Sequence, residues 1–149
     1  MTRSDAAVAT QEDPTSVDET MIARFGLDKG HIIQEFGYDD DVEKELRVGI
    51  EDATGEAIVF EDFGDVTDGA LVWFRDGDED LADLLMDAQA LLDDGASMWV
   101  LTPKKGVAGH VEPRIVGESA SLAGLHATST FVVGDSWSCT QLVEKGRSK

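Results

Sequence analysis

The sequence predicts an α/β domain, three layers built around a mostly parallel sheet that an antiparallel hairpin closes near the C-terminus. Three observations carry that expectation. Residues 70–74, Ala-Leu-Val-Trp-Phe, form an uninterrupted apolar run of strand length, as in a strand covered on both faces. Leu81, Leu84, Leu85, Ala88, Leu91 and Leu92 then recur at helical spacing, and Met98 to Leu101 form a second buried run, so residues 68–106 read as strand, helix, strand. Such a crossover is almost always right-handed, which makes the two strands parallel. Residues 128–133 and 137–143, separated by Gly134, Asp135 and Ser136, supply the hairpin.

The remaining elements follow in order. Residues 1–20 have no aromatic side chain and no periodicity, and are rich in Asp, Glu, Ser and Thr, which predicts a disordered acidic tail with Thr15 and Thr20 as candidate phosphorylation sites. Residues 21–145 form the single folded domain. Residues 21–27 suggest a short helical turn and residues 31–36 the first strand. Asp40 and Glu43 resemble a capping box that opens a helix on Val42, Leu46, Ile50 and Ala53, ended by Gly55. Residues 57–60 are expected as a short second strand and residues 61–67 as a loop. In the central unit Asp78, Glu79 and Asp80 cap the helix, and Gly95 ends it in a left-handed conformation. Pro113 suits a first helical turn, and a helix over residues 113–123 stops at Gly124.

Charge narrows the partners. Twelve Lys and Arg against 31 Asp and Glu give a formal net charge of -19, which repels nucleic-acid phosphates and anionic lipid. Neither nucleic acid nor membrane is expected; the acidity reads first as a solvated, solubilising surface, and otherwise as a face for a basic partner or for divalent cations. One cysteine, Cys139, excludes an intramolecular disulfide, and the absence of a signal-length apolar run points to the cytoplasm.

In an open parallel sheet, ligands bind beyond the C-terminal ends of the strands. That edge is expected to bring Gly37, Tyr38, Asp39 and Asp40 from the first strand to Glu61 from the second. Arg75, Asp76 and Asp78 from the third and Thr102 and Lys104 from the fourth complete one ligand or partner rim. Polar loops and acidic helix starts would produce the same composition without any ligand. A dinucleotide loop needs several glycines and offers only Gly37, while Glu61 stands where an acid often meets ribose hydroxyls. Asp76-Gly77-Asp78, Thr102 and Gly134-Asp135-Ser136 mimic a haloacid-dehalogenase-type phosphatase, but Asp80 and Cys139 occupy positions where that chemistry uses a hydroxyl and an acid. Leu81 replaces the glycine of a calcium loop, the three histidines are too scattered for zinc, and Cys139, Trp73, Trp99 and Trp137 read as core residues. No catalytic residue, metal or cofactor is assigned.

Phe36-Gly37-Tyr38-Asp39-Asp40-Asp41, Leu71-Val72-Trp73-Phe74-Arg75-Asp76, Leu101-Thr102-Pro103-Lys104, Gly109-His110-Val111-Glu112-Pro113 and Ser136-Trp137-Ser138 together resemble the actinobacterial family of domain of unknown function 3052, over about residues 21–143. That resemblance implies a cytoplasmic bacterial protein and carries no catalytic residues. The layout is also similar to a shortened, Rossmann-like S-adenosylmethionine methyltransferase fold, whose sheet ends in such a hairpin. The expected function is therefore a non-catalytic accessory or regulatory protein that binds another protein or a small ligand. The alternative is an S-adenosylmethionine-type binding protein or methyltransferase with Gly37, Asp39, Glu61 and Asp76 around the ligand.

Overall fold

The computed structural model describes residues 16–78 and 80–145. Most of the expected tail, with Thr15, and the expected cap residue Glu79 lie outside the described residues. The chain runs α1 (Glu19–Ala23), β1 (Ile33–Phe36), α2 (Lys44–Thr54), β2 (Thr67–Trp73), α3 (Leu81–Ala88), β3 (Leu92–Pro103), α4 (Pro113–Leu122), β4 (Leu125–Val133) and β5 (Trp137–Glu144). One five-stranded sheet has the order β1-β2-β3-β5-β4, with β1, β2 and β3 parallel and β5 antiparallel to both β3 and β4.

Strand pleating sorts the core onto two faces. Ala70 and Val72 of β2 pack in a cluster with Leu85 of α3 and Val116 of α4, while Leu71 and Trp73 pack in a second with Met21, Leu46 and Ile50 from α1 and α2. Ala70 through Trp73 are all 0% exposed, which is why their sequence shows no polar alternation. Among the described residues no helix is long and apolar enough to cross a membrane.

Six local expectations change. Helix α1 starts inside the stretch expected to be tail, because the Asp18 carboxylate caps it by accepting the Met21 N–H at 3.0 Å and Met21 is buried. Helix α2 has no capping box: Glu43 is its N-cap without a side-chain bond, and Asp40 uses its backbone with Asp39 and Lys44. Among the described residues, the stretch over residues 57–60 contributes only an isolated bridge between Val59 and Gln34. Helix α3 ends at Ala88 rather than continuing through Leu92, because Leu91 and Leu92 are drawn into pairing with Thr67. Gly95 has its positive φ of 80°, but it turns an irregularity within β3, where the register shifts between Thr67 and Gly69. Nor does Asp80, the N-cap of α3, make a side-chain cap bond; Asp78 is used elsewhere.

Candidate functional site

At the end of β1 the chain turns through Gly37, whose φ is 79°. Only glycine fits there: a Cβ would stand 2.2 Å from the Trp73 carbonyl oxygen. Both backbone groups of Gly37 are already used. Its N–H donates to the Glu61 carboxylate at 3.0 Å, and its carbonyl accepts from Arg75 Nη1 at 2.9 Å.

Arg75, just past the end of β2, is the hub of the edge. Its Nε and Nη2 grip the Asp41 carboxylate as a fork, and its guanidinium carbon lies 5.4 Å from the centre of the Trp137 ring. Trp137 Nε1 in turn donates to the Asp41 carbonyl at 3.1 Å, and the Arg75 backbone N–H donates to Asp78 at 3.0 Å. One cation thus clasps the loops after β1 and β2 to the start of β5. The Arg75 hydrogen bond holds the Asp41 carboxyl below its ordinary value of 3.8, against a smaller opposing effect of burial. The sign follows from that: the stability Asp41 contributes is complete above the ordinary carboxyl value and is lost as pH falls through the lower folded-state value. With the Asp41 side chain 54% exposed, solvent screening keeps this contribution small.

A second charged group lies deeper. Glu35 in β1 is 1% exposed and takes three hydrogen bonds from Arg47 of α2, at 2.9 to 3.1 Å, and one from Trp73 Nε1 at 2.8 Å. Arg47 then passes 4.8 Å from the centre of the Tyr38 ring and 5.7 Å from that of Phe60, two exposed aromatics at the rim. Bonding to Glu35 raises the Arg47 pKa, which is already far above neutrality. The signal for this network was a lone acid, Glu35, inside an apolar strand; its partner comes from another element.

The expected single rim is divided. Gly37, Tyr38, Asp39, Glu61, Arg75 and Asp78 line one cavity of about 280 Å³. Asp76 lines a second, of about 500 Å³, which Asp78 also reaches and where His110 and Glu112 stand opposite. Thr102 and Lys104 line a third, of about 310 Å³. Asp40 lines none of the three. The acids and lysines therefore do not face each other across one crevice, because the loop over residues 103–110 folds back and the Asp76 N–H bonds to the Gly109 carbonyl at 2.9 Å. Among the described residues no group of three or more His, Cys, Asp or Glu is arranged to hold a metal. Burial pushes the Cys139 thiol far up, which makes it a core residue and a poor nucleophile. A larger groove of about 850 Å³ between α1 and α2 has aliphatic walls and scattered carboxylates, but no converging hydrogen-bond donors.

Residues 22–146 match the family described as Protein of unknown function (DUF3052). The chain belongs to that family. Two relatives of this DUF3052 chain are the uncharacterized proteins Rv2239c of Mycobacterium tuberculosis and Mb2263c of Mycobacterium bovis, each 39% identical over 148 residues and covering 93% of both chains. Solved structures similar to it include methyltransferases. The pyocyanin biosynthetic protein PhzM matches with a TM-score of 0.62 at 12% identity, over 83% of this chain and 53% of that one. The mitomycin 7-O-methyltransferase MmcR matches at 0.58 and 11%, over 78% and 50%. The magnesium protoporphyrin IX methyltransferase of Synechocystis PCC 6803, with bound SAH, matches at 0.54 and 10%, over 85% and 81%. The DUF3052 chain spans about half the length of the first two. At such identities the likeness establishes a methyltransferase-like fold and nothing about activity.

Proposed function

We propose that this chain is a non-catalytic accessory or regulatory binding protein of the cytoplasm. Its frame is read as a three-layer, methyltransferase-like sheet closed by the hairpin of β4 and β5, and its acidic rim as the surface that engages a basic segment of another protein. The observation that carries this reading is the position of Arg75. Its guanidinium takes the Gly37 carbonyl and the Asp41 carboxylate in the crevice where such a frame would hold its cofactor.

The residues at that crevice do not suit S-adenosylmethionine. The Arg75 guanidinium is spent on the Gly37 carbonyl and the Asp41 carboxylate, so it is not free to hold that ligand's carboxylate. The single glycine of the loop has both backbone groups engaged, and the cavity of about 280 Å³ falls just below the roughly 300–1,000 Å³ of ordinary ligand sites. What the rim offers outward is different. Exposed Tyr38 and Phe60 pack edge to face at 6.3 Å, with Arg47 against both and the exposed acids Asp39, Asp40, Glu61 and Asp62 nearby. Aromatic anchors ringed by charge are the composition of a protein interface.

The test is capture of partners by the full chain and by an Asp39→Lys/Asp40→Lys variant. Both positions are exposed, so the fold should be retained. A basic protein recovered with the wild type and lost with the variant is the expected result; identical recovery by both contradicts it. The second reading, an S-adenosylmethionine-binding protein or methyltransferase, is favoured by the fold likeness and by Glu61, which follows the β1-paired stub. Titration with S-adenosylmethionine separates the two.

A further inference from the structure

The third cavity, beside α4, has a chemistry unlike the rest of the molecule. On the sheet face that α3 and α4 cover, β3 presents Met98, Val100 and then Thr102, while β5 read backwards presents Leu142, Thr140 and then Ser138. The pairing places Thr102 opposite Ser138 and Thr140 opposite Thr130, so an apolar core passes into a patch of four hydroxyls at one end. All four line the cavity of about 310 Å³. Lys104 and Lys105 stand at its mouth, and Val111, Val116 and Ala127 form an apolar wall.

None of these polar groups is used by the protein. Among the described residues the side chains of Thr102, Thr130, Ser138, Thr140, Lys104 and Lys105 make no hydrogen bond or ion pair. Thr102 is only 4% exposed. A buried hydroxyl normally finds a partner. The one enclosed side-chain polar atom without a partner among the described residues is Trp99 Nε1, so the Thr102 hydroxyl is not sealed off and opens onto the cavity it lines. His110, which also lines the cavity, is held by its Nδ1, which lies 2.9 Å from the Pro103 carbonyl and donates to it, since a carbonyl can only accept.

The electrostatics agree. In a chain with 31 acids and 12 Lys and Arg, no carboxylate lines this cavity and two ammonium groups do. A local positive site with unspent hydroxyl donors, in an otherwise anionic molecule, selects a small anion. The apolar wall and the modest volume select a compact organic body behind it.

We propose that this cavity binds a small organic anion, its phosphate or carboxylate group held by Lys104, Lys105 and the hydroxyls of Thr102, Ser138 and Thr140. The inference is independent of the acidic rim and of any partner there.

The experiment is an amide NMR titration of the isotope-labelled full chain at constant ionic strength, with inorganic phosphate, butyl phosphate and butyrate as probes. Saturable shifts confined to Thr102, Lys104, Lys105, Ser138 and Thr140 are expected for at least one butyl probe, tighter than for inorganic phosphate because of the apolar wall. Which butyl probe binds more tightly identifies the anionic group. A Lys104→Gln/Lys105→Gln variant with an otherwise unchanged spectrum should weaken that probe roughly tenfold. Shifts that never saturate, shifts spread over the whole surface, or affinity unchanged in the lysine variant would each overturn the proposal.

Discussion

Replacing Arg47 with methionine should lower the unfolding free energy by about 3 kcal/mol, at the lower end of the range for breaking a buried ion pair. Glu35 would be left in a side chain with 0% exposure with a single donor, the Trp73 indole. Arg47 is itself 19% exposed, so its own desolvation is incomplete and the full upper range is not expected. Methionine preserves most of the packing against Tyr38 and Phe60 but not the attraction of a cation to their rings. For a chain of this length the melting temperature should fall by roughly 6–12 °C. The diagnostic arm is the double variant Glu35→Leu/Arg47→Met, which removes both charges and should recover most of the loss. Urea unfolding measures all three proteins. A single variant within about 0.5 kcal/mol of wild type would show that water reaches Glu35 and that the pair is not buried in any energetic sense.

Gly37→Ala should be as damaging for a different reason. A left-handed backbone costs an L-residue about 1–2 kcal/mol, and here the new Cβ would also meet the Trp73 carbonyl at 2.2 Å. A backbone carbonyl in a central strand cannot yield, so the loop must move and the Glu61 and Arg75 bonds to Gly37 are broken. The combined loss is expected to be about 3 kcal/mol or more. Gly55→Ala is the internal control. Its φ of 75° is nearly the same, yet the nearest atom to its Cβ is a flexible lysine carbon at 3.7 Å, so only the backbone penalty should appear. Equal losses in the two variants would mean that the close approach at Gly37 is not a constraint.

The frame was legible where one element's sequence determines its own burial. Ala70 to Trp73 are uniformly apolar because both faces of β2 are covered, and the helical recurrence from Leu81 to Ala88 marks the face of α3 that packs on it. Boundaries were lost where a residue answers to a distant partner. Leu91 and Leu92 continue the helical spacing but are claimed by Thr67, and among the described residues a strand-like stretch around Val59 contributes only an isolated bridge to Gln34. The rim residues could be placed at the sheet edge from topology, but not into separate cavities, since that division depends on the return of the Gly109 loop onto Asp76. The same holds for Arg75. It reads as an ordinary loop cation until the folded chain brings it to Gly37 and Asp41, thirty-eight and thirty-four residues away. The hydroxyl patch was invisible because Thr102, Ser138, Thr140 and Thr130 come from three strands and are ordinary within each.

The position of Arg75 carries the proposed non-catalytic reading, and calorimetric titration of the full chain with S-adenosylmethionine tests it most directly. No saturable heat up to about 1 mM ligand, an affinity no better than about -4 kcal/mol, is the predicted result for the wild type. Saturable binding in the micromolar range by the wild-type chain, with Arg75 in place, would contradict the non-catalytic reading and return the protein to the cofactor-binding class.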